Sequence, residues 1–146
     1  MFRKGLLAVL MNACVAFAGG AETMSGPAPD FASGQEWSIK SAAPTTAKVV
    51  IVRSEPWHGN VAVHISVVDV PVPQGVTGVG GTTVITHMPF DRSALAASVD
   101  RLLATGVPPP SGFEGGYKYW HGAKGGIFTV SVEKAIEFTF QAVGRR

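Results

Sequence analysis

The segment Lys48–Val72, KVVIVRSEPWHGNVAVHISVVDVPV, decides how this chain folds. Val49 to Val52 are four consecutive side chains branched at Cβ, bounded by Lys48 and Arg53, and such residues pack well on a pleated strand. Glu55-Pro56 reads as the end of that strand and Pro56–Asn60 as a turn, with Gly59 and Asn60 suited to positive φ. Beyond it Val61, Val63, Ile65 and Val67 fall on one face, while Ala62, His64 and Ser66 fall on the other. The phase then slips, because Val68, Val70 and Val72 continue on the second face. A bulge near Val67-Val68 repairs such a mismatch. Two strands joined by a tight turn make an antiparallel hairpin.

Working outward, Glu36–Lys40 alternates Trp37 and Ile39 with polar neighbours, as a short strand does. Residues 73–81, PQGVTGVGG, form a glycine-rich connection. Gly78-x-Gly80 superficially resembles a phosphate-binding loop, but Thr82–Thr86 reads as a strand, not as the helix such a loop requires. A helix follows from Asp91 or Ser93, with Leu95, Val99, Leu102 and Leu103 at helical spacing and Gly106 as its stop. Ile127–Val130 reads as a last short strand, and Ser131 caps a helix over 132–143. Strands, a helix, a strand and a helix predict an α+β domain: a mostly antiparallel sheet of about four or five strands with two helices packed on one face.

The first 21 residues stand apart. Arg3 and Lys4 precede an uncharged apolar run, Gly5 to Val15, and small residues at Ala16–Ala21 follow it. That layout predicts a signal peptide over 1–21, then a flexible leader over 22–35 and one globular domain over 36–146. Cys14, the single cysteine, reads as signal filler in preference to a lipidation site. A mature chain of about 125 residues suits one domain, without disulfides or a thiolate nucleophile. The expected location is periplasmic or secreted, with no integral membrane span in the mature chain. Lys and Arg total 12 against 10 Asp and Glu. Without Arg3 and Lys4 the balance is even, and no basic stripe interleaves with aromatics, so nucleic acid is not an expected partner.

Catalytic signatures are sparse. There is no HExxH and no Gly-x-Ser-x-Gly, and the carboxylates are dispersed. His64 and His87 are weak metal candidates that could meet across neighbouring strands, joined by Asp69 or Asp91. No cofactor is expected. The other chemistry lies in Tyr117–Gly126, YKYWHGAKGG, read as a loop hinged by glycines at both ends. Trp120 is expected to close the end of the core, with Tyr117, Lys118 and His121 exposed. Trp57-His58 repeats the aromatic–histidine pairing in the hairpin turn. If both loops lie at one end of the sheet, Trp57, His58, Tyr117, Lys118, Tyr119 and His121 form a contact surface for a protein or an envelope polymer. The expectation is a small exported, non-catalytic domain that binds another macromolecule, in an inhibitor, immunity-type or accessory role. The alternatives are a metal-dependent or hydrolytic envelope enzyme using the histidines and carboxylates, and a structural domain that self-associates through a sheet edge.

Overall fold

The computed structural model describes residues 29–77 and 81–144. The signal peptide, residues 22–28 of the leader, Gly78-x-Gly80 and the terminal Arg145-Arg146 lie outside the described residues. The chain forms a single α+β domain. Its strands are β1 (Glu36–Ile39), β2 (Lys48–Trp57), β3 (Asn60–Pro71), β4 (Thr82–Asp91) and β5 (Val99–Ala104), and its helices are α1 (Gln74–Thr77), α2 (Arg92–Ser98), α3 (Phe113–Gly122) and α4 (Val132–Val143). The strands make one antiparallel sheet in the order β4-β3-β2-β1-β5.

The hairpin of β2 and β3 is the centre of this sheet, as its residues predict. Its turn is tighter than expected and uses different residues. Trp57 pairs with Asn60, so His58 (φ 41°) and Gly59 (φ 80°) form a two-residue turn with both φ values positive, the geometry that matches strand twist. Glu55-Pro56 does not stop β2. β1 pairs with Lys48–Val50 and the Gly34-Gln35 backbone with Ile51, so by Pro56 β2 has one neighbour and tolerates a residue without an N–H.

One face of the sheet carries the main core. Val49 and Ile51 of β2, Val63, Ile65 and Val67 of β3, and Met88 and Phe90 of β4 pack with Leu95, Val99, Val132 and Ala135. Thus α2 and α4 cover this face together. Ser98, buried, donates its hydroxyl to the Ala94 carbonyl and accepts the Val132 N–H, which ties the end of α2 to the start of α4. The Asp91 carboxylate accepts from the Ser93 and Ala94 amides, and the Ser131 hydroxyl from the Lys134 amide, so both expected caps form.

Four expectations change. The helix after Asp91 ends at Ser98, and residues 99–104 become β5 because the open edge of β1 offers them a hydrogen-bonding partner. Phe128 makes one parallel bridge to Phe90 in place of a strand over 127–130. Phe31 is buried in the core, and the Gly34 and Gln35 backbones bond with Ile51, so the folded domain begins before residue 36. Finally, Tyr117–Gly122 is the body of α3, not a loop. This third long helix lies on the opposite face of the sheet, over His64 and His87.

Irregularities in the ladder decide what that second face presents. In β2 a register shift falls between Ile51, opposite Ile65, and Arg53, opposite His64. An extra residue here reverses the alternation. Val49 and Ile51 therefore face the core, yet Arg53, Glu55 and Trp57 all face α3. The bulge expected near Val67-Val68 is present, with a shift between Val67 and Val70 and Asp69 at φ 52°. A further shift between Ile65 and Val67 falls opposite Thr86-His87, where the buried Ser66 hydroxyl donates to the Thr86 carbonyl.

Candidate functional site

The site is built where β2, β3 and β4 meet α3. Phe113, Tyr117, Trp120 and His121 recur at spacings of four, three and one, which places them along one side of a helix. Phe113 is buried, with its ring 5.4 Å from that of His87. The rings of Tyr117 and Trp120 meet the His64 ring edge-on at 5.0 and 4.7 Å. The helix comes this close because residue 116 is glycine: a Cβ there would stand 2.7 Å from the His87 Cβ. Gly116 is needed for close approach and not for flexibility.

Beneath the helix runs a chain of polar groups. Tyr117 Oη donates to Glu55 Oε2 at 2.8 Å. Glu55 Oε1 lies 3.2 Å from His64 Nε2, and His64 Nδ1 lies 2.9 Å from His87 Nε2. An ionised carboxylate only accepts, so His64 carries its proton on Nε2 and accepts at Nδ1. His87 in turn must donate from Nε2. Burial pushes His87 down to about 4, helped by the neighbouring His64. Burial also holds His64 below its ordinary value, against the pull of Glu55. For Glu55, burial pushes the carboxyl up, but the hydrogen bonds from Tyr117 and His64 and the nearby imidazoles together outweigh it and leave it lowered. At neutral pH the series is a carboxylate followed by two neutral imidazoles, and every member is hydrogen-bonded.

His64 and His87 do meet, as their placement on neighbouring strands suggested. The carboxylate that joins them is Glu55, not Asp69 or Asp91. Asp69 instead pairs with Lys48 at 3.2 Å, and Asp91 caps α2. No group of three His, Cys, Asp or Glu among the described residues is arranged to hold a metal ion.

Next to this chain lies an open cleft of about 290 Å³, lined by Glu55, Pro56, Trp57, His58, Trp120, His121, Lys124 and Gly125. The hairpin turn and the end of α3 are therefore at the same end of the sheet. Trp120 is fixed by its Nε1–H, which donates to the Gly126 carbonyl at 2.8 Å. A Cβ on Gly125 would stand 2.4 Å from Trp120 Cδ1, so this glycine too permits a close approach. Trp57 and His58 meet edge-to-face at 4.4 Å. Arg53 of β2 stacks over the Tyr117 ring at 4.3 Å and pairs with Glu114 of α3 at 3.1 Å.

Of the six residues expected to form a contact surface, Trp57, His58 and His121 line the cleft. Tyr117 stands behind it and holds Glu55. Lys118 and Tyr119 are exposed but do not line it, because a helix turns them outward. Sequence reasoning missed Glu55, read as a strand terminator, along with Lys124 and Gly125, and it assigned Trp120 to the core alone. The legible signal was the Phe113–Tyr117–Trp120 spacing, masked by the glycine pair at 115–116. Compared with known proteins, the chain matches no family model, no curated protein and no solved structure.

Proposed function

We propose that this protein is a small exported, non-catalytic domain that binds another macromolecule of the cell envelope through the cleft between the β2–β3 turn and the end of α3. One observation carries the reading: Trp57-His58 and Trp120-His121, remote in the chain, line one cleft. Paired aromatic walls with polar groups between them are the chemistry of recognition surfaces. The buried chain gives the cleft a fixed negative charge, since only Glu55 of its members reaches the lining. Both Glu55 oxygens are already engaged, one by His64 and one by Tyr117, so the carboxylate is oriented and stays ionised.

The test is retention on immobilised envelope material. Trp57→Ala with His121→Ala should abolish retention without lowering the thermal transition appreciably, since both side chains stand at the rim. Undiminished retention by that folded double variant rules the cleft out.

A catalytic reading has one observation in its favour, the carboxylate–imidazole–imidazole series, which is the arrangement of a general acid–base relay. Against it, His64 is fully enclosed and neither histidine lines the cleft. Hydrolysis of a panel of ester, amide and glycoside substrates that disappears in a folded His64→Ala, His87→Ala variant would establish it. A self-associating role would use β5, an edge strand with Leu102 and Leu103 each more than two-fifths exposed. Sedimentation at several concentrations distinguishes that reading.

A further inference from the structure

The cleft is chemically mixed in a way that discriminates among ligands. Glu55 contributes an ionised acceptor to its lining, and Lys124 a cationic donor. His58 and His121 each offer a ring nitrogen of either kind. Trp57 and Trp120 supply flat apolar surface. An anionic ligand would meet Glu55, whose negative charge the hydrogen bonds from His64 and Tyr117 maintain. A cationic ligand would meet Lys124. A wholly apolar ligand would strip water from Glu55 with nothing in return, which is costly for a carboxylate.

What remains is a neutral group with an apolar face and a rim of hydroxyls that both donate and accept. We infer that the cleft binds a neutral saccharide unit of an envelope glycan, with the C–H face of a pyranose ring laid against an indole and its hydroxyls on Glu55, Lys124 and the two imidazoles. This inference rests on the binding reading above and specifies its ligand. The cleft volume of about 290 Å³ is at the small end for ligand sites, about 300–1,000 Å³, and suits a short stretch of a chain better than a large cofactor. The walls are also ordered before a ligand arrives. Trp120 is pinned by Gly126, and Glu55 by two hydrogen bonds, so little side-chain freedom is lost on binding.

The experiment is titration of the full chain with chitotriose, cellotriose and maltotriose, followed by tryptophan fluorescence. Trp37, which packs on Phe31 and bonds to Gln35, lies outside the cleft, so Trp37→Phe serves as the control. The expected result is a saturable change with at least one trisaccharide that persists in Trp37→Phe. Trp57→Ala should weaken that binding by about tenfold or more, as loss of an aromatic anchor does, and Lys124→Ala should weaken it several-fold. Retention on envelope material that depends on Trp57, without a saturable response to any of the three sugars, overturns the saccharide inference and leaves the binding reading standing for a peptide ligand. Retention that survives Trp57→Ala with His121→Ala overturns both.

Discussion

Gly116 and Gly115 are adjacent in α3 but differ in what surrounds them. A Cβ at 116 would collide with the His87 Cβ, whereas one at 115 meets nothing within 4 Å. Gly116→Ala should therefore push α3 off the sheet and destabilise by about 1–3 kcal/mol, as overpacking does. Gly115→Ala should stabilise by about 0.5–1 kcal/mol through helix propensity. Urea unfolding of the two variants, expected to shift in opposite directions, checks both. The histidine pair gives a second prediction. Since His87 is held down at about 4 in the folded protein against an ordinary value of 6.5, the unfolded chain binds the proton more tightly. Stability is then level above pH 6.5 and falls as pH drops from there to about 4, by on the order of 3 kcal/mol from this group. The lowered Glu55 contributes in the same direction at the acid end. Melting temperature between pH 7 and 4 measures the slope. His87→Gln, which keeps a donor for His64 without titrating, should flatten it.

Among the elements, β2 matters most because it changes face part-way along. Before its irregularity the strand supplies Val49 and Ile51 to the core, and after it Arg53, Glu55 and Trp57 to the site. Deletion of Val52 removes the extra residue and leaves a regular strand, with Val49 and Ile51 still on the core face and Arg53, Glu55 and Trp57 still facing α3. The variant should therefore keep a cooperative thermal transition by circular dichroism; loss of that transition would show that the extra residue does more than set the two faces. The termination of α2 illustrates a related competition. Val99, Leu102 and Leu103 satisfy a helical period, but only Val99 is buried. Residues 99–104 gain a ladder with β1 in exchange, and at the sheet edge Leu102 and Leu103 stay exposed.

At the scale of the whole molecule, the sheet separates two clusters of different character. The face under α2 and α4 is apolar, aliphatic and aromatic side chains together, and holds most of the buried apolar residues, while the face under α3 combines aromatic rings with polar groups organised around His64. The second cluster is the smaller, and it carries the cleft. No helix among the described residues is long and apolar enough to cross a membrane. Expression of the full chain in an exporting host should release a mature protein whose intact mass places the new N-terminus between residues 19 and 22, the small-residue sites after the apolar run. An unprocessed mass would refute the signal-peptide reading and the envelope location with it.

The sequence by itself determined the strands at the centre of the sheet, the caps of α2 and α4, and the apolar face of the central hairpin, because those features follow from local periodicity and local hydrogen bonding. Val61, Val63, Ile65 and Val67 can share one face in only one phase, and Ser131 caps whatever helix follows it. Tertiary structure decided the site. Glu55 reaches it through an irregularity in β2 that no residue type announces, and His87 through another in β4. Trp57 and Trp120 line one cleft only because α3 crosses the sheet near the hairpin turn. The glycines of α3 read as hinges in one dimension, where conformational freedom is all that can be seen. In three dimensions Gly116 is a point of close approach, because a neighbouring strand occupies the space a side chain would need.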